Sequence, residues 1–347
     1  MDMTELLALA IKQNASDLHL SPFTSPMIRC HGDLVPIDHV PPLSPDACQR
    51  LIYSIMNVAQ QESFEAKLEL DISLNVPDIG NFRVNVMQQS KGIAAVFRLI
   101  PESVPSLDEL ALPPILKTLC ILPHGLIIVS GATGSGKSTT MAAMIDYINT
   151  FRACNIITIE DPIEFIFKNK KSIINQRQVG RDTANVASAL RSSLRQDPDV
   201  IMIGEMRDVE TVRLALTAAE TGHLVLATLH ASSAPLAISR IVDMFDVNDK
   251  SRIRNLLSES IQAVICQALV RGVNTGRVGA FEIMLANAAI RHLIREDKIA
   301  HMPMTIQTSG NIGMCTLEQY LQLLVARNLI TTSMARTVIS RTDWFLV

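Results

Sequence analysis

Gly131-Ala132-Thr133-Gly134-Ser135-Gly136-Lys137-Ser138, followed by Thr139 and Thr140, decides how the rest of this 347-residue chain is read. The spacing is G-x-x-x-x-G-K-[ST], the pattern of a phosphate-binding loop. Its flanks suit that role: Leu126-Ile127-Ile128-Val129 reads as a buried strand, and Met141-Ala142-Ala143-Met144-Ile145 as the body of a helix. Glycines let the backbone curl around an oxyanion, and amides at the helix start point at it with the helix dipole behind them. Gly131, Ala132, Thr133, Gly134, Ser135, Gly136, Lys137, Ser138 and Thr139 are therefore expected to hold ATP or GTP, with Lys137 on the β- and γ-phosphates and Ser138 on Mg²⁺. A glycine-rich turn between any strand and helix is the plainer alternative, and the Lys-Ser pair with both flanks speaks against it.

The composition, 48% hydrophobic and 19% charged, fits a globular chain long enough for two domains. No apolar run approaches the roughly 18 residues needed to span a bilayer. Met1-Asp2-Met3-Thr4-Glu5 lacks the positive flank of a signal peptide, so a cytosolic protein is expected. A formal net charge of -3 and 4% aromatics give little footing for nucleic acid. Cys30, Cys48, Cys120, Cys154, Cys266 and Cys315 are scattered without C-x-x-C spacing and read as reduced, mostly buried thiols.

Upstream of the loop, residues 3 to 13 have helical spacing, with Leu6, Leu7, Leu9, Ala10 and Ile11 facing inward. Ser16 to Pro22 reads as a short strand, and Met27 to His31 and Leu34 to Ile37 as a hairpin turning at His31-Gly32-Asp33. Ser44-Pro45-Asp46 starts a helix with Cys48, Leu51, Ile52 and Ile55 on one face. Leu70 to Val76 and Asn81 to Arg98 supply further strands, of which Asn81-Phe82-Arg83-Val84-Asn85-Val86 alternates with period two. Arg83 and Arg98 stand within these strands, where arginines usually lie on a solvated face. Pro101, Pro105, Pro113 and Pro114 then punctuate a linker.

Downstream, strands and helices alternate. Ile156-Ile157-Thr158-Ile159 ends on Glu160-Asp161-Pro162-Ile163-Glu164, and Asp199-Val200-Ile201-Met202-Ile203-Gly204-Glu205 is a second apolar run ending in a carboxylate. Open α/β sheets place ligands at such strand ends. Glu205 is expected to hold Mg²⁺ through water or orient the attacking water, and Glu164 to polarise that water as a base. Thr221 to His230 is another buried strand, bracketed by His223 and His230, which can hydrogen-bond phosphate or relay its presence to a neighbouring subunit. The tail reads as an amphipathic helix from Asp249 to Cys266, a strand from Arg277 to Leu285, and shorter helices from Ala288 onward. A loop bounded by Gly310 and Gly313 precedes the helix from Thr316 to Arg327. The apolar end, Trp344-Phe345-Leu346-Val347, is expected to pack on those helices.

Together these segments resemble the secretion ATPase superfamily that drives type II secretion and type IV pili, and within it the pilus retraction branch. The family's landmarks stand in order: Walker A at Gly131 to Thr139, the Asp box at Ile157 to Glu164, Walker B at Asp199 to Glu205 running into Met206-Arg207-Asp208, and the His box at Thr221 to His230. The resemblance covers nearly the whole chain. It implies an α/β fold class, with a PAS-like N-terminal domain over residues 1–100, a linker over 101–114, and a RecA-like P-loop ATPase domain over 115–347 whose helical C-terminal tail starts at about residue 287.

The resemblance also implies site residues beyond the loop. Glu164, Glu205, Lys137 and His230 would serve catalysis, Glu160, Asp161 and His223 the nucleotide, and Ser138 and Glu205 the Mg²⁺. Arg83 and Arg98 match family arginines that contact nucleotide on an adjacent subunit, where they neutralise charge on the transferred phosphoryl group. Ala289-Ile290-Arg291-His292-Leu293-Ile294-Arg295-Glu296 is similar to a helix of the retraction branch, with His292 where that branch usually has Asn. The implied assembly is a homohexamer at the cytoplasmic face of the inner membrane, reaching the membrane only through partners. Those partners would be an inner-membrane pilus platform protein and, in some systems, a second retraction ATPase. A secretion or pilus-assembly ATPase, an accessory retraction ATPase and a nonhydrolytic scaffold are the alternatives. The tail helix and the missing cysteine cluster weigh against the assembly reading, and Glu164 and Glu205 against the scaffold.

Overall fold

A computed structural model describes residues 2–30, 33–101, 103–273 and 276–343, with side chains as far as Ile339. The chain divides into two compact units, one ending at Ser103 and including Glu164–Ile166, the other beginning at Val104.

In the front unit the elements are α1 (Met3–Lys12), β1 (Asp17–Leu20), β2 (Met27–Cys30), β3 (Asp33–Pro36), α2 (Pro45–Tyr53), α3 (Val58–Lys67), β4 (Glu69–Val76), β5 (Gly80–Gln89) and β6 (Gly92–Ile100). Local chemistry sets the helix starts. Asp2 and Glu5 exchange hydrogen bonds in a capping box, and the Ser44 hydroxyl accepts from Ala47 N–H with Pro45 in the first turn. The strands form an antiparallel sheet in the order β3-β2-β1-β6-β5-β4. Alternation along β5 sends Phe82, Val84 and Val86 into a core with Leu6, Leu7, Leu18, Ile28, Ile52 and Phe97. The expected hairpin pairs Cys30 with Asp33, while its His31-Gly32 turn lies outside the described residues. Sequence reading passes over α3, where Phe64 is the buried residue and supports almost no apolar periodicity.

The second unit runs α4 (Ile115–Cys120), β7 (Gly125–Ser130), α5 (Lys137–Phe151), β8 (Asn155–Glu160), β9 (Ile173–Gln178), α6 (Val186–Ser193), β10 (Val200–Ile203), α7 (Val209–Glu220), β11 (Leu224–Leu229), α8 (Ala234–Asp243) and α9 (Val247–Ser260). It continues with β12 (Ile261–Arg271), β13 (Arg277–Leu285), α10 (Ala288–Arg295), α11 (Met302–Thr308), α12 (Leu317–Ala326) and α13 (Thr332–Asp343). Its sheet has the order β13-β12-β7-β11-β10-β8-β9, parallel except for the β12–β13 pair. Strands β7, β10 and β11 are buried along their whole length, as parallel strands covered on both faces must be. The expected fold class is the one adopted, with a sheet-built PAS-like unit ahead of a RecA-like one.

One expected element is corrected. The helix predicted from Asp249 to Cys266 stops at Ser260, and Ile261 to Cys266 belong to β12. Ile253, Leu256, Leu257, Ile261, Val264 and Ile265 keep helical spacing, so periodicity alone cannot separate helix from buried strand here. The exposed edge of β7 decides, because β12 pairs with it in parallel and buries Ile261, Val264 and Ile265 completely.

Glu282 of β13 is half-buried beside this added edge, and its Oε1 accepts from Ala234 N–H at the start of α8 at 2.6 Å. Burial pushes its carboxyl up, and the Ala234 and Leu317 amides only partly offset that. Since the folded pKa lies above the unfolded one, this group's contribution to stability is fully present below about pH 4.5 and is lost as pH rises through the folded value. Glu282→Gln is therefore expected to flatten the pH dependence. In urea unfolding, wild type should gain stability relative to the variant on going from pH 7 toward pH 5, and parallel curves for the two proteins would contradict this.

Candidate nucleotide-binding site

The parallel register brings four strand ends to one edge of the second unit. Ser130 pairs with Leu229, Ile203 with Ala227, and Ile203 with Ile159, so β7, β11, β10 and β8 stop together. The phosphate loop leaves β7 there, Glu160 closes β8, and Glu205 and His230 follow β10 and β11 within two residues. Ser130 clamps this edge: its hydroxyl lies 3.1 Å from the Leu229 carbonyl and 2.8 Å from that of Ala231, and accepts from Ala231 N–H.

In the loop, Gly136 caps α5 with left-handed backbone, φ 89°, and no side chain bonds the first-turn amides. A Cβ on Gly131 would come within 2.3 Å of the Gln267 carbonyl oxygen, so only glycine lets the loop close on β12. Lys137 Nζ donates to the carbonyls of Gly131 and Ala132 at 2.9 Å each. The Ser135 hydroxyl is buried and has no hydrogen-bond partner among the described residues. An orphan hydroxyl, uncapped amides and a close-fitting glycine cradle fit a phosphate ligand.

Arg207 and His230 hold the acidic cluster together. Glu205 Oε2 accepts from Arg207 Nε at 2.6 Å, and its Oε1 lies 3.2 Å from His230 Nε2. The Arg207 guanidinium also reaches Asp161, with Nη1 3.8 Å from Oδ2. Glu160 is buried and accepts from Thr158 Oγ1 at 2.6 Å and Gln176 Nε2 at 3.1 Å. The Thr228 hydroxyl donates to the Gly204 carbonyl, and Met206 N–H to the Thr228 carbonyl, which fixes the turn presenting Glu205. Ser138 opens α5 beside Lys137, and it and Glu205 offer the oxygen donors that Mg²⁺ prefers.

Other expected residues lie elsewhere. Glu164 is exposed, four residues past β8, and makes no hydrogen bond or ion pair among the described residues. His223 sits at the opposite end of β11 from His230, a strand length of roughly 20 Å away. Its Nδ1 lies 3.0 Å from the Ala218 carbonyl, at the end of α7. The structure thus joins His230 to the cluster and leaves His223 out of it. Arg83 and Arg98 face each other as direct partners on β5 and β6 of the front unit.

Two residues were missed by reading the sequence. Gln267 on β12 is buried behind the loop, where its Oε1 accepts from Thr140 Oγ1 at 2.7 Å and its Nε2 would meet a Cβ on Gly136. Nothing local in the sequence signals it, because it reaches the loop across 127 positions. Arg207, by contrast, was legible as a cation two residues past the strand-end carboxylate.

The chain is similar to several known proteins over nearly all of its length. The chain is 53% identical over 97% of its length, and 97% of the relative's, to "Type IV pilus retractation ATPase PilT" of Pseudomonas aeruginosa. It is 49% identical to a "Twitching motility protein" of Neisseria gonorrhoeae, covering 90% of this chain and 84% of that one. Among solved structures, that of the pilus retraction motor PilT with bound ADP superposes with a TM-score of 0.92 at 45% identity, covering 97% of each chain. Residues 2–316 match the family described as Type II/IV secretion system protein, and the chain belongs to that family.

Proposed function

We propose that this chain is an ATP-hydrolysing motor that works as a homohexamer and withdraws type IV pili. The observation that carries the reading is the meeting of the phosphate loop with the Glu205, His230 and Arg207 cluster on one sheet edge. The close likeness to a named retraction ATPase supports the direction of the motor. Ala289 to Glu296, the segment that prompted that reading, forms α10, whose Arg291 donates to the carbonyls of Ala286 and Glu259, so the guanidinium packs α10 onto the end of α9.

In this scheme Lys137 exchanges its loop carbonyls for the β- and γ-phosphates of ATP, and Ser135 and the first amides of α5 complete the cradle. Ser138 and Glu205 would hold Mg²⁺, which when bound neutralises phosphate charge. Glu205, oriented by His230 and Arg207, aligns the attacking water, and Glu164 takes its proton. Arg83 and Arg98 of a neighbouring chain face the transferred phosphoryl group, so turnover in one subunit is tied to the placement of the next. His223 has no phosphate contact within its own subunit in this scheme. No helix among the described residues is long and apolar enough to cross a membrane. The motor would dock on an inner-membrane platform protein from the cytoplasmic side, alone or with a second retraction ATPase.

Lys137→Ala is expected to lower phosphate release by purified protein at least about 100-fold, the usual cost of one preorganised cationic or amide donor. Turnover at wild-type level would refute the mechanism. Cells that lack the protein or carry Lys137→Ala should show excess surface pili by electron microscopy and no twitching, whereas bare cells would assign the motor to assembly. Mixing Arg83→Ala with Lys137→Ala subunits should restore activity above that of either alone, and no recovery would exclude sites shared between chains.

A further inference from the structure

The register of the front sheet lines up five residues across five strands. Arg29 on β2 pairs with Asp17 on β1, Asp17 with Arg98 on β6, Arg98 with Arg83 on β5, and Arg83 with Ser73 on β4. Directly paired residues share a face of a sheet. The adjacent row, Ile28, Leu18, Phe97, Val84 and Ile72, faces the core, so the charged row lies on the opposite face.

Within that row the burial is uneven. Side-chain exposure is 5% for Asp17, against 37% for Arg29 and 66% for Arg98. A buried carboxylate is stable only if it is paired and hydrogen-bonded, and Asp17 is both. Its Oδ1 accepts from Arg98 Nε at 2.9 Å, its Oδ2 accepts from the Ser16 hydroxyl at 2.7 Å, and Arg29 Nε stands 3.9 Å from Oδ2. Burial alone would push its carboxyl up, but the bonds from Ser16 and Arg98 and the Arg98 charge outweigh it and hold the group below its ordinary value. Among the described residues the Nη1 and Nη2 groups of Arg98 have no hydrogen-bond acceptor.

Placing Arg98 directly opposite Arg83 sets like charges about 5 Å apart at Cβ, which by itself drives the two side chains away from each other. Asp17 removes that drive on one side, and Asp71, 3.7 Å from Arg83 Nε, eases it on the other. The guanidinium of Arg98 is then held by one of its five donors while the others stay open.

We infer that Asp17 is a positioning residue for phosphoryl transfer. It pins Arg98 by Nε so that its outer edge, next to Arg83, is preorganised to meet the phosphates of a neighbouring chain's nucleotide. This rests on the reading that Arg83 and Arg98 act on a neighbouring chain, and the experiment separates the two claims.

ATP turnover is measured on the full-length hexamer for Asp17→Asn, Arg98→Ala and the double variant. Asp17→Asn is expected to lower kcat about 10- to 100-fold, as misplacement of a catalytic group does, with KM little changed. The same substitution in the Arg98→Ala background should cost nothing further. A double variant that loses the product of the two single effects would overturn the inference, because Asp17 would then act independently of Arg98.

Each single variant is also mixed with Lys137→Ala subunits. Recovery with both Asp17→Asn and Arg98→Ala supports the inference. Recovery with Arg98→Ala but not with Asp17→Asn leaves shared sites intact and removes Asp17 from them, and recovery with neither removes the shared sites themselves. If Asp17→Asn does not assemble, Asp17→Glu keeps the charge and displaces it by one methylene. The same comparison then applies: an equal loss of kcat in the wild-type and Arg98→Ala backgrounds would overturn the inference.

Discussion

Parallel pairing of β7, β11, β10 and β8 in a common register is the constraint on which the site depends. Parallel strands send their carboxyl ends the same way, so the phosphate loop, Glu160, Glu205 and His230 reach one edge although they are spread over a hundred positions of sequence. A one-residue slip of any strand would turn its side chains to the other face. Because β11 lies between β7 and β10, His230 is interposed between the loop and Glu205, and the Ser130 clamp keeps it there. The β12–β13 pair extends this sheet and puts Gln267 behind the loop, so the tail of the chain helps to shape its phosphate cradle.

The bonds that occupy the site are of a kind that can be exchanged. Lys137 is satisfied by carbonyls of its own loop, and Arg207 bridges Glu205 and Asp161 from a largely exposed position. Exposed pairs of this type contribute about 0–1 kcal/mol, because solvent screens them and ordering long side chains costs entropy. A phosphate ligand can displace them at small cost. Glu160 is the opposite case, buried and bonded to Thr158 and Gln176, and belongs to the fixed part of the edge.

What could be read from the sequence follows from the range of the interactions involved. The phosphate loop was legible because its physics is local: glycines at set spacing, a lysine, a helix start. The helix cap at Ser44 was local in the same sense. The end of α9 was not, since Ile261, Val264 and Ile265 satisfy helical spacing and only pairing with β7 turns them into strand. Local sequence also could not tell the two histidines of β11 apart, because a strand places its two ends on opposite sides of the sheet, and only His230 lies on the side of the loop. Gln267 and Asp17 carry no motif at all, and each owes its place to a partner more than eighty positions away.

The two units differ in charge balance. The sheet edge of the second unit carries Glu160, Asp161 and Glu205 against Lys137 and Arg207, and a bound triphosphate adds further negative charge to it. Phosphoryl transfer then needs more positive charge than the loop provides, which is the usual reason such enzymes recruit an arginine. The front sheet carries Arg29, Arg83 and Arg98 in one row, offset in part by Asp17 in that row and by Asp71 beside Arg83. A surplus on an exposed sheet face costs folding stability through repulsion, so keeping it there makes sense if it is discharged on assembly. On the proposed reading, in which Arg83 and Arg98 reach a neighbouring chain of a ring, each nucleotide edge would meet such a row. Turnover would then alter the attraction that holds neighbouring subunits, which is the property a force-generating ring requires.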